Sequence, residues 1–223
     1  MYGLDLPGHG ASEGTRGLLS GVDSLIDDGI LVAKHAKANS PDNLPLFLVG
    51  SSMGGAIALA VANKIPETVK GVVMLAPMLS LNVSSAARTA LGILSTIFPS
   101  VPMIPSSATN SKKQYRDAER RSECDKDTLS YKGYMRPRSV NTCVEFTTYT
   151  QQLFDKVTVP FLYMLAEGDV VVDNSKANEL MEKSQSTDKT LKSYDALHGL
   201  LCEPAPLLGI IEDDFVSWML ERC

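Results

Sequence analysis

The chain has 223 residues, a length that suits one domain, or one α/β domain carrying an insertion, rather than two full domains. Hydrophobic residues at 44% and charged residues at 21% match ordinary globular usage, and 16 glycines with 12 prolines fall short of low-complexity composition, which excludes a disordered chain, a collagen and a coiled coil. With a net charge of −5 and no basic cluster denser than Glu119-Arg120-Arg121, the chain offers a phosphate backbone little to hold, so nucleic acid is set aside as a partner.

In chain order, Val22, Leu25, Ile26, Gly29, Ile30 and Ala33 mark an amphipathic helix. Leu46 to Val49, after Pro45 and before Gly50, is a short apolar run of the kind that forms a buried parallel strand, and an Ala- and Gly-rich helix follows from Met53 to about Lys64. Val72 to Leu75 predicts a second strand, Phe161 to Leu165 a third and Thr190 to Tyr194 a weaker fourth. Leu208, Ile211, Phe215, Trp218 and Met219 recur at helical spacing and close the chain with a core-facing helix. Such alternation predicts an α/β fold, a mostly parallel sheet with helices on both faces.

Between Pro77 and Val159 the alternation breaks. An apolar helix from about Ser84 to Phe98 is followed by Pro99, Pro102 and Pro105 and then by a highly charged stretch from Lys112 to Lys132. This divides the chain into residues 1–76, the first part of the core; 77–158, a helical cap; and 159–223, the rest of the core.

Gly54 to Ala62 and Leu91 to Phe98 are the longest apolar stretches, and both are shorter than the roughly 18 residues a membrane span needs. Residues 1–5 lack the basic stretch and apolar run of a secretory signal. Cys124, Cys143, Cys202 and Cys223 are scattered without a C-x-x-C pair, which points to reduced thiols rather than a disulfide framework or a zinc site. The expected location is the cytoplasm, with peripheral membrane contact through the cap.

Gly50-Ser51-Ser52-Met53-Gly54 fits G-x-S-x-G and stands between an apolar strand and a helix, where a nucleophile elbow requires it. The bend is strained, so the residues two positions either side of Ser52 are expected to be small, as Gly50 and Gly54 are. Ser52 would stand exposed above the carboxyl end of the sheet, with the Met53 amide at the helix N-terminus as one oxyanion donor. A serine nucleophile needs a base, and the chain has three histidines. His35 sits late in a helix among polar residues, and His9 lies in a tight Gly8-His9-Gly10 turn. His198, just past the fourth strand, is placed by topology over Ser52. The third member is a carboxylate between them in sequence and after a strand. Glu167, Asp169 and Asp173 all qualify; Asp169 is the first choice and Asp173 the reserve.

Asp5-Leu6-Pro7-Gly8-His9-Gly10, the Ser52 elbow, Ala76-Pro77-Met78, Glu167-Gly168-Asp169 through Asp173, and His198-Gly199 through Glu203-Pro204 together resemble the monoacylglycerol lipase and lysophospholipase branch of the α/β-hydrolase family. The resemblance runs along nearly the whole chain. It implies the α/β-hydrolase fold, hydrolysis of a lipid monoester without metal or organic cofactor, a lid formed by residues 77–158, and the triad Ser52, Asp169 and His198. Ala166 departs from the family's usual glycine before the acid loop, and the stretch from Asp195 to His198 is one residue short. The resemblance also implies that strands and an oxyanion loop normally precede Asp5, so the chain reads as truncated at its front and as opening inside the strand that leads to Asp5. Loss of one oxyanion donor costs about a hundredfold to a thousandfold in rate. Leu91, Leu94, Ile97 and Phe98 can lie along one side of the cap helix and suit an acyl chain, although such a stripe more often packs on a core. The alternatives are a small-ester carboxylesterase, an acyltransferase with the same triad, or a truncated, non-catalytic relative.

Overall fold

The computed structural model describes residues 1–41 and 43–223. After an opening stretch of turns come helix α1 (Val22–Ala38), strand β1 (Phe47–Ser51), helix α2 (Met53–Lys64) and strand β2 (Gly71–Leu75). Helices α3 (Ser85–Ile97), α4 (Ser111–Gln114), α5 (Ala118–Lys126) and α6 (Pro137–Gln151) precede strand β3 (Phe161–Ala166). Helix α7 (Ala177–Lys183), strand β4 (Lys189–Tyr194) and helix α8 (Leu207–Leu220) complete the chain. The four expected strands all form, close to their expected bounds. Local chemistry sets several ends: the Ser84 hydroxyl accepts the Ala87 N–H to cap α3, and Pro137, which has no amide to leave unpaired, opens α6.

The strands lie in the order β1-β2-β3-β4, all parallel, with Ser51 beside Leu75, Leu75 beside Met164 and Ala166 beside Tyr194. Side chains alternate across the sheet. Val72, Met74, Phe161 and Tyr163 face a layer that includes Leu25, Leu59, Phe146 and Leu180 from α1, α2, α6 and α7. Val73, Leu75, Leu162 and Met164 face Ile211 and Trp218 of α8. Because both faces are covered, β2 and β3 read as unbroken apolar runs, and each large side chain they bury stabilises the fold by about 1.5–3 kcal/mol relative to exposure.

β1 differs. It stands at the sheet's end, with Val49 48% exposed, and no strand pairs with its outer edge among the described residues. An apolar groove of about 680 Å³ runs there, lined by Tyr2, Leu4, Leu46 and Leu48 with parts of α1 and α2. The strand expected to lead into Asp5 does not form. Extended backbone without a neighbouring strand gains no ladder, and Asp5 instead folds a turn, its Oδ2 accepting the Ala11 N–H at 2.8 Å and its carbonyl the Ser12 hydroxyl at 2.6 Å.

Within residues 77–158, α3 lies on α6, and α6 packs on α1 and α2 with Phe146 fully buried. The expected stripe on α3 is divided: Leu91 is buried, whereas Ile97 and Phe98 are exposed together with Ile93, Val101 and Met103. Among the described residues, no helix is long and apolar enough to cross a membrane, and the four cysteines are free.

Candidate active site

The register aligns the carboxyl ends of the strands, so the loops that follow them share one edge of the sheet. Ser52 stands between β1 and α2 with φ 53° and ψ −121°, a conformation strained for a residue with a Cβ. Two contacts, one with the end of β2 and one with the chain just beyond it, hold it there: the Ser52 N–H donates to the Leu75 carbonyl and the Met78 N–H to the Ser52 carbonyl, both at 2.9 Å. Its side chain makes no capping hydrogen bond to α2, although serine at this position usually does. The hydroxyl is therefore not committed to the helix. Met53 carries the first amide of α2, which by its position has no acceptor within the helix.

The acid and histidine loops meet because β3 and β4 are neighbours. The Glu167 N–H donates to the Tyr194 carbonyl and the Gly168 N–H to the Ala196 carbonyl, each at 2.9 Å. Asp169, whose side chain is fully buried, uses both oxygens: Oδ1 accepts the amides of Val171 and Val172 at 2.7 and 3.0 Å, and Oδ2 lies 2.7 Å from Nδ1 of His198. His198 is 5% exposed. A buried carboxylate on Nδ1 places the ring's other nitrogen, Nε2, as the free proton acceptor.

The remaining candidates lie elsewhere. Asp173 is engaged with serines and not with the histidine: its carboxylate accepts the Ser175 amide and hydroxyl and the Ser80 hydroxyl. These bonds, the Ser175 amide first, hold its carboxyl below the usual aspartate range. Such a group adds stability above the ordinary aspartate value, about pH 4, and the stability is lost as pH falls through its lowered folded value. Thermal melts of Asp173→Asn and the unsubstituted chain are thus expected to differ most at neutral pH and to converge in acid. Glu167 is exposed. His9 is half-buried in a turn with Nδ1 3.1 Å from the Pro7 carbonyl, and His35 lies by Asn39 at the end of α1. Among the described residues, no group of three or more His, Cys, Asp or Glu side chains is placed to hold a metal ion.

Two residues at this edge carried no role in the sequence. Glu203 is a buried carboxylate that accepts the Leu197 amide at 2.6 Å, next to His198, and Arg116 reaches it from the segment between α4 and α5. The one local signal was a charged residue at a position the fold buries, and burial is not legible from the chain.

A parallel sheet with helices on both faces, a serine in a strained strand-to-helix turn and an Asp–His pair on the adjoining loops define an α/β-hydrolase. The sequence model described as serine aminopeptidase, S33, matches residues 1–205, and the chain belongs to that family of hydrolases. Caffeoylshikimate esterase of Arabidopsis thaliana is 29% identical over 100% of this chain and 69% of that protein. Monoglyceride lipase of Homo sapiens is 30% identical over 100% of this chain and 73% of its own length. Among solved structures, a monoacylglycerol lipase from Paleococcus ferrophilus superposes with a TM-score of 0.81 at 20% identity, covering 97% of this chain and 81% of that one. A monoglyceride lipase variant from Saccharomyces cerevisiae gives 0.80 at 19% identity, covering 98% and 76%. These two likenesses bear on the fold.

Proposed function

We propose that the chain is a serine hydrolase that cleaves the carboxylic ester of a lipid monoester, a monoacylglycerol or lysophospholipid, through Ser52, His198 and Asp169. The observation that carries the reading is the 2.7 Å contact between buried Asp169 and His198 at the sheet edge that also holds the strained Ser52 turn. In the proposed reaction, Nε2 of His198 takes the Ser52 proton as Oγ attacks the ester carbonyl. The oxyanion that forms faces the Met53 amide and the positive end of α2. His198 then returns the proton to the departing alcohol, and water, activated by the same imidazole, releases the fatty acid and restores Ser52. Asp169 stays ionised, keeps the proton of the neutral ring on Nδ1 and stabilises the imidazolium.

The lipid is supported by the name of the Homo sapiens relative, monoglyceride lipase, and by the apolar surface within residues 77–158. Ile93, Ile97, Phe98, Val101 and Met103 are exposed on and after α3, where they suit an acyl chain or the surface of a membrane. In this reading the part of residues 77–158 that carries this exposed surface acts as the lid, while α6 belongs to the packing on α1 and α2. A fluorophosphonate probe is expected to label the chain, and labelling is expected to vanish in Ser52→Ala. Labelling that persists in that variant overturns the assignment of the nucleophile. Hydrolysis of monoacylglycerols and lysophospholipids should hold or rise with acyl length; activity falling steeply with length favours a small-ester carboxylesterase, the reading suggested by the Arabidopsis relative's name.

A further inference from the structure

The loop that carries His198 is gripped from residues 114–116, the end of α4 and the link to α5. The Gly199 N–H donates to the Gln114 carbonyl at 2.9 Å. The Tyr115 ring lies so close that a Cβ on Gly199 would sit 2.4 Å from it. Arg116 spans the two ends of the loop: one terminal nitrogen donates to Oδ1 of Asp195 at 2.9 Å, and Nε lies 3.3 Å from Oε2 of Glu203.

Glu203 is the unusual member. Its side chain is 1% exposed, its Oε1 accepts the Leu197 amide, and its Oε2 has no hydrogen-bond donor, only the nearby guanidinium. An isolated buried carboxylate is costly. Here the charge is balanced by a side chain from a different part of the fold, while its other oxygen holds the backbone directly before His198.

We propose that Glu203 and Arg116 are positioning residues: together they hold the 195–203 loop at the place where His198 meets Asp169, and they make that meeting depend on docking of residues 114–116. The proposal rests on the reading of His198 as the base. Neither side chain touches the reacting atoms in this scheme. Glu203 acts through the Leu197 amide, and Arg116 acts through Glu203 and Asp195. A shift of residues 114–116 would thereby slacken the base, while α6 stays packed on α1 and α2.

Two readouts test this in the 223-residue chain. One is the fluorophosphonate labelling rate per folded molecule. The other is the downfield NMR resonance of the His198 Nδ1 proton shared with Asp169, identified by its loss in Asp169→Asn. Glu203→Gln and Arg116→Met are each expected to broaden the resonance or move it upfield and to slow labelling by about tenfold to a hundredfold, the scale of a small misplacement of a catalytic group. Arg116→Lys, which keeps the charge and spares Glu203 from isolation, is expected to recover part of both and also covers the case in which Arg116→Met fails to fold. A wild-type resonance in Glu203→Gln, or a labelling rate within twofold of wild type, overturns the clamp, because a group that only supports the fold lowers thermal stability without moving either. If the unsubstituted chain does not label, the serine-hydrolase reading has failed, and the resonance alone decides the clamp.

Discussion

Asp169→Asn is expected to remove nearly all activity, about ten-thousandfold in kcat, while the chain remains folded. The size follows from how the carboxylate is used. Oδ1 already accepts two amides, those of Val171 and Val172. In the asparagine variant the amide oxygen must take that side, since an NH2 group there would face two N–H donors. The NH2 group is left facing Nδ1 of His198, where the carboxylate oxygen was. Nδ1 must then accept, the ring proton moves to Nε2, and the imidazole presents a donor to Ser52 in place of an acceptor. The geometry survives and the tautomer is wrong. Labelling by a fluorophosphonate probe and ester hydrolysis check the loss, and far-UV circular dichroism checks the fold. Near wild-type activity would remove Asp169 from the proposed triad, with Asp173 facing its own serines.

Gly50→Ala is expected to damage both stability and labelling, and Gly54→Ala to damage neither. A Cβ on Gly50 would lie 2.2 Å from the carbonyl oxygen of Gly54, 2.3 Å from its carbon and 2.6 Å from the Gly55 nitrogen. All three are main-chain atoms of the first turn of α2, so no side chain can rotate aside. β1 and α2 must separate, at a cost of about 1–3 kcal/mol or more. The same shift displaces the Ser52 turn and the Met53 amide, with labelling slowed by about a hundredfold. A Cβ on Gly54 meets nothing within 4 Å. In a helix, alanine there is worth about 0.5–1 kcal/mol over glycine, so the variant should melt at or above the unsubstituted chain. Chemical denaturation and labelling of the two variants side by side provide the check. The expectation that both flanking glycines are required is thus corrected: the close approaches fall on Gly50 and on Gly55, whose Cβ would lie 2.8 Å from Pro77. The motif reports spacing along the chain, whereas the steric demand depends on which way each Cα faces in the folded turn.

The sequence by itself determined the features that are local along the chain. Leu46 to Val49 and Phe161 to Leu165 are short apolar runs that follow a proline and stand between helical patterns, and both form strands; the second is covered on both faces, whereas the first is left half-open at the sheet's end. Ser52 stands out because the turn that exposes it has to lie between such a strand and a helix. Elimination among three histidines left His198 as the candidate base. Tertiary structure decided what depends on direction and on distant neighbours. Asp169 and Asp173 share one loop four residues apart, and which of them faces His198 was settled by the amides of Val171 and Val172 on one and the hydroxyls of Ser80 and Ser175 on the other. The α3 stripe was legible as apolar, but its division into buried Leu91 and exposed Ile97 and Phe98 was set by where α6 lies. Arg116 and Asp195 are 79 positions apart, and no periodicity links them to each other or to Glu203. Their pairing exists because the long connection between β2 and β3 returns over the carboxyl edge of the sheet. Patterns of side-chain type encode which segments are buried; the meeting of two segments is set by the packing of everything between them.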